Sequence, residues 1–102
     1  MGKLFGVTTP LGCEIETTTE YWDYVSSKKH PYMLGKEMLV QEILENPDEI
    51  RKSRIEETVF LYYLKKERLY CAVAKHESGK RGFLLTAYPA DKVKEGEILW
   101  KK

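Results

Sequence analysis

The sequence predicts an α+β fold in which helices pack on one face of a roughly four-stranded antiparallel sheet. Three observations predict it. Apolar residues recur at helical spacing between Thr18 and Glu45, and the period shifts to that of strands from Thr58 onward. The strand-like runs are joined by links short enough to close antiparallel hairpins.

Leu4 to Val7 and Cys13 to Thr17 flank Thr9-Pro10-Leu11-Gly12, where Pro at the second turn position and Gly at the fourth favour a type I turn. An N-terminal hairpin is expected there. Thr17 followed by Glu20 is a capping-box pattern, and Tyr21, Trp22 and Val25 then fall at helical spacing. The helix should run from about Thr18 to Lys28 and deliver His30 just past its end, because the residue before a proline is pushed out of the α region.

From Lys36 to Glu45, Leu39, Val40, Ile43 and Leu44 make one stripe while Lys36, Glu37, Gln41, Glu42 and Glu45 face away, the signature of an amphipathic helix. Asn46-Pro47-Asp48-Glu49 reads as the start of a further short helix carrying Ile50, Arg51, Ser53 and Arg54. Asn suits the N-cap, Pro the first helical position, and the acids the positive end of the dipole.

Strands are expected over Thr58 to Leu64, Leu69 to Lys75 and Phe83 to Tyr88, with Ile98-Leu99-Trp100 as an edge strand after a turn at Lys94-Glu95-Gly96. If both hairpin links close as four-residue loops, Leu64 pairs with Leu69 and Ala74 with Phe83. One face then carries Val59, Leu61 and Tyr63 beside Tyr70, Ala72 and Ala74, whose small residues leave room for helices. The other carries Phe60, Tyr62 and Leu64 beside Cys71 and Val73, then Thr86 and Tyr88, with Lys75 at its end.

The 102 residues suffice for one domain, 1–102, which removes roughly two-thirds of its unfolded surface from water. Hydrophobic content of 42% with 32% charge is that of a globular chain, and no apolar run approaches the ~20 residues of a membrane span. No membrane partner is expected. The first residues lack the apolar region and cleavage site of a signal peptide, so the expected compartment is the cytoplasm. Cys13 and Cys71 have neither CxxC spacing nor clustered His residues, so free thiols are expected, with no metal and no cofactor. Seventeen basic against sixteen acidic residues leave a net charge of +1, too little to attract a polyanion except through local clusters.

The chemistry-bearing stretches are Lys29-His30-Pro31-Tyr32-Met33 and Gly82 through Tyr88. Histidine gives or takes a proton near neutral pH, and the chain has only two. His76 begins the Glu77-Ser78-Gly79-Lys80 turn and reads as a solvent-facing residue. Tyr21-Trp22, His30-Pro31-Tyr32-Met33, Asn46-Pro47-Asp48, Tyr62-Tyr63, Lys75, Gly82 through Tyr88 and Lys94-Glu95-Gly96 together resemble the phage- and mobile-element-associated nucleases of the barnase, EndoU, colicin and RelE-like superfamily. The chain departs from that pattern at Asp23-Tyr24-Val25, where members often carry a second His.

The resemblance implies a barnase/RelE-like arrangement with the active site on the sheet face opposite the helices. It implies a metal-independent endoribonuclease, toxin-like or phage-associated, with RNA as substrate and an immunity or antitoxin protein as a candidate partner. The residues it assigns to catalysis are His30, Lys75, Thr86 and Tyr88, with His30 as acid or base. Ser53, Arg54 and Tyr62 would bind substrate, Tyr62 by stacking a splayed base. Two rivals remain open from the residues: a non-catalytic single-stranded RNA-binding sheet of the same fold, and a protein-interaction domain using the aromatic face.

Overall fold

Pro10 and Gly12 close the first hairpin as expected. The Gly12 amide donates to the Thr9 carbonyl at 2.9 Å, and Gly12 takes a φ of 80°, which suits a residue without a side chain. The structure, a computed structural model, describes residues 2–93 and 96–102. Among these, the hairpin strands are β1 (Lys3–Thr8) and β2 (Glu14–Thr18), followed by β3 (Glu49–Lys52), β4 (Val59–Lys65), β5 (Leu69–His76), β6 (Arg81–Pro89) and β7 (Glu97–Lys101). They form one seven-stranded sheet in the order β1-β2-β6-β5-β4-β3-β7. The Lys94 and Glu95 part of the expected turn before the last strand lies outside the described residues.

This corrects the expected roughly four-stranded antiparallel sheet under packed helices: the sheet is mixed and carries two short α-helices. The N-terminal hairpin joins the meander because β2 runs parallel to β6, from Glu14 opposite Arg81 to Glu16 opposite Phe83. A parallel pairing between segments so distant in sequence has no local signature, whereas a hairpin has one in its turn. The second addition is β3, which replaces the short helix expected after Asn46-Pro47. Asp48 does not cap a helix; its carboxylate accepts from the Lys65 amide at 2.8 Å and its own amide donates to the Tyr63 carbonyl. The four residues after it pair with β4 on one side and β7 on the other. So short a helix nucleates poorly, while the open edge of β4 offers every backbone group a partner.

α1 (Thr19–Tyr24) begins one residue later than the pattern suggested. Thr18 is its N-cap, accepting from the Tyr21 amide at 3.1 Å. A wider π-type turn, Val25–Lys29, continues it to His30. After the short turn Pro31–Met33 comes α2 (Glu37–Glu45), whose Val40, Ile43 and Leu44 are buried as its stripe predicts. α2 touches β1, β4 and β5. Since β2 and β6 lie between β1 and β5, the sheet must curl toward the helix. Tyr62 on β4 accordingly reaches Thr9 at the end of β1 with a 3.2 Å hydrogen bond. No helix among the described residues is long and apolar enough to cross a membrane.

The strand registers also differ from expectation. β4 and β5 pair Lys65 with Leu69, leaving a three-residue link instead of four. One residue less moves every side chain of a strand to the opposite face. Phe60, Tyr62 and Leu64 therefore enter the main core under the helices with Tyr70, Ala72 and Ala74. Leu61 and Tyr63 turn to the other face with Cys71 and Val73. On β6 a bulge at Leu85 restores the proposed side for Thr86 and Tyr88, which stand opposite Val73 and Cys71. That second face is itself covered: after β6 the chain heads for β7 at the far edge, and Ala90 and Val93 pack against the Leu61-Tyr63-Cys71-Val73 cluster.

Candidate functional site

His30 ends the helical segment in an extended conformation, with its amide bonded to the Val25 carbonyl at 2.8 Å. The following Pro31 cannot donate a hydrogen bond and fixes the exit angle. The imidazole is thus delivered to the end of β6, where its ring lies 5.3 Å from that of Tyr88 at a tilt of 41°. Partial burial, and then the neighbouring Lys29 ammonium, hold the His30 pKa below its ordinary value. That shift favours the neutral ring, the form that accepts a proton. Burial, with the Cys71 thiol and Tyr63 nearby, pushes the Tyr88 phenol up, so it stays protonated.

Lys75 and Thr86 share the Tyr88 face, and Lys75 is set apart from Tyr88 and so from its neighbour His30. Tyr88 stands opposite Cys71, whereas Lys75 stands opposite Phe83, four residues further along β5. That is about 13 Å of strand. The Thr86 hydroxyl is buried with no hydrogen-bond partner among the described residues. Of the four residues assigned to catalysis, His30 and Tyr88 are in ring contact, Thr86 stands two residues from Tyr88 on the same face of β6, and Lys75 lies farther along the sheet.

The three residues assigned to substrate binding lie elsewhere. Tyr62 is fully buried, and its hydroxyl contacts Thr9 and lies 2.9 Å from Nε2 of His76, so its ring cannot stack a base. This corrects its expected place on the open face, and the cause is the three-residue link. Ser53 Oγ accepts from the Ile55 and Glu56 amides at 3.1 and 3.4 Å, which closes the turn after β3. Arg54 lines a shallow groove with Arg51, Gly96 and Glu97, at the sheet edge formed by β3 and β7.

The end of the sheet near His30 gathers groups that sequence reading passed over. Tyr32, two residues on, is half-exposed, and its ring sits between the Lys36 ammonium at 5.0 Å and the Arg68 guanidinium at 5.3 Å. The neighbouring Tyr70 hydroxyl, and then the Arg68 guanidinium, pull its phenol below the ordinary value. Tyr70 in turn donates to the Glu67 carboxylate, which that bond holds below the usual carboxylate range. Tyr32 stood in the His30-Pro31-Tyr32-Met33 motif, but Arg68 looked like ordinary hairpin-loop charge, and only the fold brings the two together.

The opposite end of β5 carries the other imidazole. His76 is not a solvent-facing turn residue: it is half-buried, stacks on Phe60 with ring centroids 3.9 Å apart, and contacts Tyr62. Burial lowers its pKa. Its signal in the sequence was its place as the last residue of a strand.

Among the described residues, no three His, Cys, Asp or Glu side chains gather where they could hold a metal ion. No protein-family model, curated protein or solved structure matches this chain.

Proposed function

We propose that the protein binds and cleaves single-stranded RNA without a metal ion, at the end of the sheet where β5 begins and β6 finishes, with His30 as proton acceptor. One observation carries this reading. The two residues flanking Pro31 put a neutral imidazole against Tyr88 and a half-exposed phenol between two cations, Lys36 and Arg68. The proton acceptor, His30, and the residue that meets both cations, Tyr32, are thus two residues apart in the chain. The resemblance of His30-Pro31-Tyr32-Met33 and Gly82 through Tyr88 to the nuclease group adds support.

In that chemistry His30 takes the proton from a ribose 2′-OH as its oxygen bonds to the adjacent phosphorus. The bond from phosphorus to the 5′-oxygen breaks, and the proton passes to that oxygen, leaving a cyclic phosphate and a 5′-OH end. Arg68 and Lys36 neutralise charge on the non-bridging oxygens. Lys75 and Thr86 have no role in this arrangement.

A second reading is binding without cleavage. The distance of Lys75 from His30, and Asp23-Tyr24-Val25 where a second His would stand, both favour it. Cleavage of a fluorescent single-stranded RNA in EDTA separates the two. His30→Ala should lower the rate by ~10² to 10⁴ and leave RNA affinity unchanged. Arg68→Ala should weaken binding of every sequence and reduce its salt dependence. RNA binding with no cleavage by the wild type selects the second reading, and no binding at low salt rejects both.

A further inference from the structure

The parallel pairing of β2 with β6 ends at Glu16 and Phe83. Beyond it the chain leaves the sheet to start α1, so β2 and β6 separate and open a cavity of about 360 Å³. Its size is that of a small-molecule site. Tyr21 and Phe83 supply aromatic wall, and Lys3, Glu16 and Thr17 supply polar groups. The Tyr21 ring is held in place by its hydroxyl, which donates to the Leu85 carbonyl at 2.6 Å.

The polar groups distinguish between ligand chemistries. Lys3 Nζ lies 3.3 Å from Glu16 and 3.6 Å from Glu14, so two carboxylates share one ammonium. Of these groups only Lys3 and Glu16 border the cavity with charged side chains, one a donor and the other an acceptor, which suits a ligand edge that carries both N–H donors and acceptors. A flat ring with N–H donors and acceptors on one edge meets both the aromatic wall and the Lys3–Glu16 pair.

We propose that this cavity binds a nucleobase, with Glu16 accepting from its N–H edge and Tyr21 and Phe83 contacting its ring. The inference stands on the cavity alone and shares with the RNA reading only the class of ligand. The base can come from a free nucleotide or from a strand.

The test is NMR titration with each of the four nucleoside 5′-monophosphates and with a short single-stranded RNA, following the backbone amides of Thr17, Tyr21 and Phe83. At least one ligand should shift all three. Glu16→Gln removes the charged acceptor from a half-exposed position and should weaken that binding about tenfold, the effect of losing roughly 1.4 kcal/mol of edge recognition. Phe83→Leu should weaken it too. Response to mononucleotides identifies a free nucleotide as the source, and response to RNA alone identifies a strand. No shift with any of the five ligands, or equal affinity of Glu16→Gln and wild type, overturns the proposal. His30→Ala should leave these shifts intact, so failure here and failure of the cleavage reading are told apart.

Discussion

The two histidines stand near opposite ends of the sheet and are held in opposite ways. His76 closes β5 inside a built network: it stacks on Phe60, contacts the Tyr62 hydroxyl, and through it reaches Thr9 on the turn between β1 and β2. His30 sits beyond a helical segment beside Tyr88, and the next side chains along are Tyr32, Lys36 and Arg68 at the surface. Both have pKa values lowered by burial, yet the surroundings assign them different work. A ring whose polar atom is bonded to a buried phenol serves stability, because breaking that bond leaves the phenol with one partner fewer where no water can replace it. His30 packs its ring beside that of Tyr88, a contact whose loss breaks no such bond.

The strongest test of the rigid end is Gly82→Ala. Gly82 pairs with His76, and a Cβ there would lie 2.3 Å from the Lys75 carbonyl oxygen and 3.0 Å from the His76 Cα. Backbone has to move, so unfolding in urea should show a loss of about 3 kcal/mol. A loss below about 1 kcal/mol would mean that this end yields easily, and the contrast with His30 would fail.

His76→Ala should come next, at about 2 kcal/mol, from the lost stack and the loss of one of the two hydrogen bonds at the buried Tyr62 hydroxyl. The pH dependence identifies its origin. A folded-state pKa below the ordinary His value of about 6.5 means that the unfolded chain binds the proton more readily. The stabilisation is therefore complete above that value and is lost as pH falls through it toward the lowered folded value. The wild type should lose stability over that acid range. His76→Ala should lose less of it, whereas His30→Ala, from a less buried site, should follow the wild type more closely. If the two variants behave in reverse, the structural role belongs to His30.

Thr86→Val should have the smallest effect. It replaces a buried hydroxyl that has no partner among the described residues by a methyl of similar size, so stability should hold or rise slightly. Its effect on cleavage decides more. Unchanged cleavage keeps the chemistry at the His30 end, and a loss of a hundredfold or more would return it to the Thr86 face.

Much of the local structure was legible because its causes are local. Pro10 and Gly12 marked the first hairpin, the Leu39-Val40-Ile43-Leu44 stripe marked α2, and His30-Pro31 marked the helix exit. Each works through steric or capping preferences within a few residues. The segment after Asn46 was misread for a related reason: its helix-start signals are real, but a waiting strand edge outweighs them. The candidate site was half legible, since His30 and Tyr88 do meet while Tyr62 and Lys75 do not join them.

By itself the sequence determined where the chain turns, which segments carry apolar stripes, and that an imidazole would emerge at residue 30. Tertiary structure decided the faces, because one residue fewer in the link between β4 and β5 sends Tyr62 inward and Tyr63 outward. It also decided which distant groups meet: β2 beside β6, Thr9 with Tyr62 and His76, and Tyr32 between Lys36 and Arg68. Such pairings depend on non-local backbone partners and on the curl of the whole sheet, and no window of neighbouring residues carries that information.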